Sequence, residues 1–330
     1  MSNKEDNKRG IPLLRAFIRR PDASAIIATV FLFTVFSVTT KNFLTPFNQF
    51  NVWRAASQNV FIALGQAMVV LVGGMNLSLG AIGGLSVVIL GHSIEILGFN
   101  PALAVLFALC TGLFAGLFNG FFIARFKLNS FVVTLASSFI FQGLVNGISQ
   151  GRPYSKIPAS FTSLGKGDFL GIPNMVFFML IALGAVYIVF RYTIVGRKLL
   201  ATGGNVEAAR LSGIETDRMI ILANVLSGML ASLAAVLWVS RMGTAQPATG
   251  GDWLIVSFAV TVIGGTALSG GVISAPGFLF SGLLMALLRN GLIMIGVNVY
   301  FESTFLGCII LLAVLVEYFR TNVAARSKRM

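Results

Sequence analysis

The chain has 330 residues, of which 56% are hydrophobic and 11% are charged, and its mean hydropathy is +0.88. An average soluble domain is about 25% charged, so this composition leaves too few charged residues to cover a water-exposed surface and excludes a soluble globular protein. The formal net charge of +13 raises the question of a nucleic-acid partner, and the distribution of the charges answers it below.

The chain begins with a polar and basic segment, residues 1–22. It lacks the small-residue cleavage pattern that follows the apolar core of a signal peptide. We therefore expect a cytoplasmic N-terminal segment and a first apolar helix that stays in the mature protein.

Ten segments of this sequence are apolar enough to cross a bilayer, which takes about 20 mainly apolar residues as a helix. These segments are 24–40, 56–73, 79–97, 102–124, 130–149, 174–190, 219–240, 253–268, 276–296 and 303–319. The sequence therefore predicts an all-α polytopic membrane protein with about ten transmembrane helices, some of them broken at glycine-rich turns. We expect one transmembrane domain over 23–320 and a cytoplasmic tail over 321–330.

Lysine and arginine are unevenly divided between the two sides that these ten spans define. Of the 24 basic residues, 17 lie in segments on the side of the N-terminus, 6 lie on the other side, and Arg289 lies within a span. Cytoplasmic segments of membrane proteins carry such an excess. Both termini are therefore predicted to be cytoplasmic. Topology accounts for the positive charge, so the predicted partner is the lipid membrane and nucleic acid is excluded.

A glycine-rich turn, GGMNLSLG at 73–80, follows the second predicted span. Backbone that leaves helical geometry in a bilayer must face protein or a water-filled cavity, and transporters place substrate sites beside such breaks. Asn76, Ser78 and the upstream Gln66 are therefore candidate residues of a substrate pathway, since neutral amides and hydroxyls suit a polyol. The alternative is that these side chains cap helix ends or bond between helices, and both interpretations stay open.

Two sets of glycines are spaced by four residues, and each predicts a flat helix face for close packing. The sets are Gly112, Gly116 and Gly120, and Gly143, Gly147 and Gly151. Asn119 and Asn146 lie beside them and either bond across helices or face the pathway. Together with Asn290 they complete the candidate pathway residues.

Ionisable residues within predicted spans are functional candidates by default. His92 and Glu95 lie near the outer end of the third span, where Glu95 is expected to reach the membrane interface. A lone histidine without an array of carboxylates argues against proton coupling. The two cysteines, Cys110 and Cys308, lie far apart in apolar runs, which predicts buried small hydrophobic side chains rather than a disulfide or metal pair. The sequence contains none of the HExxH, GxSxG or paired-cysteine motifs that would indicate an enzyme.

The inner loop 191–218 contains the signals for a short helix. Asn205 is a good N-cap, Glu207 lies in the first turn, and Gly213 is suited to end the helix. These features predict a cytoplasmic helix of about two turns whose small residues, Ala208 and Ala209, let another surface approach closely. By themselves they favour an ordinary connecting helix.

A second glycine-rich segment, GGTALSGGVI at 264–273, matches GGMNLSLGAI at 73–82 at six positions. The match suggests duplicated halves. The same segment contains Leu268-Ser269-Gly270-Gly271, which imitates the signature tetrapeptide of ABC ATPases. The chain has no GxxxxGK[ST] phosphate loop, so we reject that interpretation.

The sequence Glu207-Ala208-Ala209 followed by Gly213 is similar to the EAA–G coupling loop of ABC importer permeases. The wider string GRKLLATGGNVEAARLSGI at 196–214 resembles the ribose-type monosaccharide permeases. Further segments resemble this family in order, from about residue 50 to 317. The resemblance implies that the loop docks on an ATPase subunit through Gly204, Asn205, Glu207, Ala208, Ala209, Arg210 and Gly213.

The resemblance also implies the partners and leaves the sugar open. Importers of this family combine two permeases, which are identical or paralogous, with two ATPase domains and a periplasmic binding protein. ATP and Mg would be bound by the ATPase, with no cofactor in this chain, and the location would be the bacterial inner membrane. Asn76 stands where the family usually has aspartate. The rival interpretations are a branched-chain amino-acid permease, a stand-alone secondary carrier and a membrane-embedded enzyme.

Overall fold

The computed structural model describes residues 22–267 and 270–298 together with isolated positions between 301 and 311. Within these residues the chain forms twelve helices and one hairpin of two short strands. The helices of the first half are α1 (Ala23–Thr39), α2 (Pro46–Leu71), α3 (Leu79–Glu95), α4 (Pro101–Arg125), α5 (Ser130–Ser149) and α6 (Ala159–Lys166). The hairpin pairs β1 (Asp168–Phe169) with β2 (Ile172–Pro173) in antiparallel fashion. The helices of the second half are α7 (Asn174–Tyr192), α8 (Ile194–Gly204), α9 (Val206–Leu211), α10 (Thr216–Met242), α11 (Trp253–Ile263) and α12 (Ala275–Met294).

Several helices begin where the sequence supplies an N-cap. The side chain of Asn100 accepts a hydrogen bond from the Leu103 amide at 2.8 Å, and Pro101 takes the first helical position of α4. Asn129 accepts from the Phe131 amide at 2.8 Å at the start of α5. These bonds satisfy amides that have no partner within the helix, so the starts of these helices are locally encoded.

Five of the described helices, α4, α5, α7, α10 and α12, are long and apolar enough to cross a membrane. Three shorter helices, α1, α3 and α11, are also apolar. Large apolar side chains cover the outside of the long helices, and Phe114, Phe139 and Ile181 are all more than half exposed. Because such a surface would be unstable in water, the fold is that of an all-α, multi-pass membrane protein.

Each of the first nine predicted spans falls on a described helix. The largest boundary error is in α2, which begins at Pro46 rather than at 56, because its first turns are polar and carry no span signal. Most of the tenth predicted span, 303–319, lies outside the described residues, as do 1–21 and the tail 321–330. The total of ten and the cytoplasmic placement of the termini therefore stay predictions. We use "inner" for the side predicted to be cytoplasmic and "outer" for the opposite side.

Helix α10 lies at the centre of the bundle, and the first glycine set allows α4 to pack directly against its backbone. A Cβ atom at Gly112 would lie 2.2 Å from the carbonyl oxygen of Gly228, and one at Gly116 would lie 2.3 Å from that of Asn224. Any larger side chain would push the two helices apart, so the predicted packing face on α4 is confirmed.

The second glycine set does not pack within this chain. A Cβ atom at Gly143 or Gly147 would meet no other atom within 4 Å, and Gly151 lies beyond the end of α5 with a φ of 73°. The prediction of close packing is therefore wrong within this chain, because the glycine face of α5 points outward. The predicted burial of the cysteines is also wrong, since Cys110 is half-buried and Cys308 is exposed.

Candidate functional site

The inner loop forms the predicted short helix, α9. The side chain of Asn205 accepts a hydrogen bond from the Ala208 amide at 2.9 Å. Gly213 has a φ of 80°, and the amide of Ile214 donates to the carbonyl oxygen of Ala209 at 3.1 Å. The predicted N-cap and terminating glycine are both confirmed, although the helix has only six residues.

One face of α9 packs on the protein and the other is uncovered. Ala209 is buried, with 4% of its surface exposed, whereas Glu207, Ala208 and Arg210 are exposed. Leu211 is 85% exposed. Sequence reasoning missed Leu211, although an apolar residue at the end of a polar helix was the available signal. A single exposed leucine is common at protein surfaces, so Leu211 is a candidate contact residue because it lies beside the predicted coupling residues, not because it is exposed.

The inner end of α8 presses directly on two glycine-rich turns. A Cβ atom at Gly203 would lie 1.6 Å from the carbonyl oxygen of Leu71, the last residue of α2. The amide of Gly271 donates to the same oxygen at 3.0 Å. A Cβ atom at Gly270 would lie 2.7 Å from the carbonyl oxygen of Gly203. We call these four residues the glycine junction.

The glycine junction joins the end of α8 to both breaks in the bundle. Only Asn205 separates α8 from α9, so α9 lies close to the breaks as well. Three backbone segments touch there without intervening side chains, so a displacement of α8 must be transmitted to them or break the contact. Sequence reasoning named Gly204 but missed Gly203, whose role depends on a tertiary contact with Leu71. The two breaks carry the matching segments at 73–82 and 264–273, and their possible duplication stays a prediction.

Four of the predicted pathway residues meet in one buried network, and each has an exposed fraction of 0%. Asn76 donates to the Ser227 hydroxyl at 2.9 Å and accepts from the Ser78 hydroxyl at 2.8 Å. Asn119 donates to the Ser78 oxygen at 2.8 Å. With its side-chain amide oriented to satisfy both bonds, Gln66 donates to the main-chain carbonyl oxygen of Asn76 at 2.9 Å and accepts from the main-chain N–H of Asn76 at 3.3 Å. We call Gln66, Asn76, Ser78, Asn119 and Ser227 the break network.

Helix α5 completes the hydrogen bonding of the same turn. The amide of Met75 donates to the Ser130 hydroxyl at 3.1 Å, and the amide of Leu77 donates to the Thr134 hydroxyl at 3.1 Å. The amide of Ser78 donates to the Asn76 side chain at 3.0 Å. Non-helical backbone is thereby satisfied by side chains rather than by water, as membrane depth requires. Sequence reasoning missed Ser130, Thr134 and Ser227, which have no local signal.

The other two predicted pathway residues lie elsewhere. Asn146 is exposed on α5, where Ser138, Gln142 and Asn146 follow one another at a spacing of four residues on the uncovered face. We call these three residues the α5 polar stripe. Asn290 exchanges two hydrogen bonds with Asn48, at 2.8 and 3.1 Å, and so ties α12 to α2.

Four basic residues lie together at the outer end of the bundle. Arg54 donates to the carbonyl oxygen of Lys166, and Arg54 and Arg289 are near enough to repel the Arg241 guanidinium electrostatically. Arg289 also pairs with Asp252 at 2.7 Å, which accounts for a charged residue in a predicted span. We call Arg54, Lys166, Arg241 and Arg289 the outer cationic cluster.

The other two ionisable candidates hold the outer segment in place. Glu95 accepts hydrogen bonds from the amides of Ser155 at 2.7 Å and Lys156 at 2.9 Å. His92 lies 3.2 Å from the Tyr154 hydroxyl. Burial, with a smaller effect from the Glu95 carboxylate, raises the pKa of Tyr154. Glu95 and His92 on α3 therefore position the loop that follows α5.

The part of the chain that the structure describes contains no group of three His, Cys, Asp or Glu residues able to hold a metal.

Comparison with known proteins identifies the family to which the sequence is similar. The family model described as "Branched-chain amino acid transport system / permease component" matches residues 48–314. The ribose import permease protein RbsC of Bacillus subtilis (strain 168) is 35% identical over 288 residues, which cover 87% of this chain and 89% of that protein. RbsC of Escherichia coli (strain K12) is 33% identical, with 90% of this chain and 93% of the relative covered. The L-arabinose ABC transporter permease protein AraH of Azospirillum brasilense is 31% identical, covering 90% and 87%.

The matches to these relatives extend over most of this chain and most of each relative. The residues that the family model matches include the two breaks and α9. These matches confirm the resemblance that the coupling-loop residues indicated. The chain belongs to the branched-chain amino acid transport system / permease component family of membrane transport proteins.

Proposed function

We propose that this chain is the membrane-spanning permease subunit of an ABC importer in the bacterial inner membrane. Its cargo would be a monosaccharide or polyol delivered by a periplasmic binding protein. The observation that carries the proposal is the exposed helix α9, which is joined through the glycine junction to both breaks in the bundle. ATP and Mg would be bound by separate ATPase subunits, since the sequence has no phosphate loop.

A sugar is favoured over a branched-chain amino acid as the cargo. The family model carries the amino-acid description, but the relatives that match 87–90% of this chain are named for ribose and L-arabinose. The α5 polar stripe, which faces out of the chain, consists of two neutral amides and a hydroxyl. Such groups exchange hydrogen bonds with a polyol, whereas the carboxylate and ammonium groups of an amino acid call for charged partners.

The docking surface for the ATPase would be the exposed face of α9. Leu211 supplies an apolar anchor, and the small side chain of Ala208 lets the partner backbone approach. Protein interfaces usually derive most of their binding energy from a few such anchors. The buried Ala209 would instead hold α9 on the bundle, so a bulky residue there would disturb this chain before it disturbed the partner.

Replacing Leu211 with glutamate should weaken ATPase binding roughly tenfold or more, because burying a leucine contributes about 1.5–3 kcal/mol. The matched control is Leu170→Glu, since Leu170 is also 85% exposed but lies in the outer hairpin turn. ATPase co-purification from mild detergent would be measured at increasing salt. Equal retention of the ATPase by both variants would contradict the assignment of α9 as the docking surface.

We further propose that the α5 polar stripe faces the substrate route and a second permease copy or a close relative. Three polar side chains in a row facing lipid would be costly. The bare Gly143 and Gly147 on the same helix let a second chain approach closely. The break network, by contrast, would hold the turn at 72–78 in shape, and the Asn48–Asn290 pair would fix α12 to α2.

The outer cationic cluster and the segments 150–173 and 241–251 would receive the binding protein. Several positive charges at the rim of a surface attract an acidic partner and speed its association. Glu95 would contribute indirectly, because it holds the backbone of the outer segment in one conformation.

The function is tested by purifying the chain with its partners and reconstituting them in liposomes. We expect ATP-dependent uptake of a labelled sugar when the cognate binding protein is present, and no uptake of labelled leucine. Uptake that persists without ATP and collapses with an ion gradient would support a secondary carrier. Binding-protein ligand screening with ribose, L-arabinose, polyols and branched-chain amino acids would identify the cargo class.

A further inference from the structure

A groove of about 300 Å³ opens at the inner end of the bundle. Its walls come from the last turns of α7, from α8 and from the segment that leads into α12. Most of the lining is apolar, and Val186, Phe190, Leu200, Val272 and Ile273 all contribute to it. The volume lies at the small end of the range for ligand pockets, which is about 300–1,000 Å³.

The lining of the groove also includes one basic residue. Arg191 lines it from the last turn of α7, and Tyr187 lines it one turn earlier. Between 191 and 206 the sequence adds Arg197 and Lys198, and the first acidic residue is Glu207. An apolar wall that includes a basic side chain is complementary to an anionic amphiphile.

The surroundings of the groove indicate the membrane–water interface. Tyr187 and Tyr192 are exposed and in contact, with ring centroids 6.2 Å apart. Ile194, at the start of α8, is 64% exposed. Tyrosines collect at the headgroup level, and an exposed apolar residue beside Arg197 and Lys198 is typical of a helix that lies on the membrane surface.

We propose that this groove binds an anionic phospholipid of the inner leaflet. The phosphate would lie against Arg191 and the Tyr187 hydroxyl, and the first part of an acyl chain would lie along Val186, Phe190 and Val272. Basic pockets between helices on the cytoplasmic side are known to select such headgroups. A sugar is a poorer fit, because the apolar side chains that form most of the wall offer it few hydrogen bonds.

The site lies next to the glycine junction. Gly271 lines the groove and is also in the junction, where its amide donates to the Leu71 carbonyl oxygen. A bound lipid would therefore steady the contact between α8 and the second break from the membrane side. Because this inference rests on the groove alone, it stands or falls separately from the identity of the transported cargo.

The test is lipid binding by the purified chain, measured by native mass spectrometry in detergent titrated with phosphatidylglycerol or phosphatidylcholine. Phosphatidylglycerol should bind about fivefold or more tightly than phosphatidylcholine, the factor expected for one basic residue at a lipid surface. Arg191→Gln should remove this preference, whereas Arg125→Gln, which removes the same charge at the inner end of α4, should keep it. Val272→Trp should fill the groove and abolish the binding of both lipids. Val38→Trp, on the exposed side of α1, should leave lipid binding unchanged.

Any of the following results would overturn the proposal. The first is equal binding of the two lipids by the unaltered chain or retention of the preference in Arg191→Gln. The second is binding of glycerol phosphate as tight as that of phosphatidylglycerol, which would make this a site for free phosphate. The third concerns Val272→Trp. If this variant unfolds at the wild-type temperature and binds lipid normally, but no longer binds a second permease copy or the ATPase, the groove is a protein interface.

Discussion

Replacing Gly203 with alanine should lower ATP-driven uptake roughly tenfold or more, whereas Gly204→Ala should leave uptake close to wild type. A Cβ atom at Gly203 would lie 1.6 Å from the Leu71 carbonyl oxygen, but one at Gly204 would meet nothing within 4 Å. The first contact is with backbone, which cannot rotate away. Forcing one extra methyl group into a packed site costs about 1–3 kcal/mol, and 1.4 kcal/mol corresponds to a tenfold change in an equilibrium.

The pair of variants separates the transmission of motion to the breaks from the docking of the ATPase. The two changes add the same methyl group to neighbouring residues of one helix, so the contact with Leu71 is the main difference between them. ATP hydrolysis and sugar uptake would be measured in liposomes with the ATPase and binding protein present. We expect Gly203→Ala to retain bound ATPase while uptake per ATP hydrolysed falls. Equal uptake by the two variants would mean that the glycine junction does not transmit motion. Loss of the ATPase in Gly203→Ala would assign the junction to docking instead.

The features that the sequence predicted well are those encoded locally. The helix α9 could be predicted because Asn205 caps it and Gly213 adopts a left-handed conformation that other residues rarely take. The nine spans within the described residues were recognisable because each needs only a run of apolar residues. Neither signal depends on what lies across the bundle.

The features that the sequence could not predict depend on contacts between distant segments. Gly112 and Gly143 belong to identical spacing patterns, yet one packs against α10 and the other faces outward. The same ambiguity affects polar residues, because Asn76 and Asn146 are chemically alike but one is fully buried and the other is exposed. Only the packing of α5 and α10 around the break distinguishes them.

The two asparagines allow the alternatives of structural support and substrate contact to be separated. Asn76→Leu keeps the volume but removes the acceptor of the Ser78 amide and hydroxyl and the donor to Ser227. Buried polar groups left without partners cost about 1–3 kcal/mol each, so we expect a loss of roughly 2–5 kcal/mol in stability. At about 2–4 °C per kcal/mol, the unfolding temperature should fall by roughly 4–20 °C. Asn76→Asp should lose less, because the carboxylate still accepts from Ser78 and the Ser227 hydroxyl can turn to donate.

Asn146→Leu makes the same chemical change on the exposed α5 polar stripe, where its side chain lies 3.5 Å from Gln142. We expect an unchanged unfolding temperature and a fall in sugar uptake of roughly fivefold or more, since one lost hydrogen bond to a passing polyol contributes about 1 kcal/mol or more. Thermal unfolding in detergent and uptake in liposomes would be measured for both variants. If Asn76→Leu unfolds like the wild type but loses uptake, while Asn146→Leu transports normally, the break network rather than the stripe faces the route. The opposite pattern assigns Asn76 to the architecture of the break and Asn146 to the cargo.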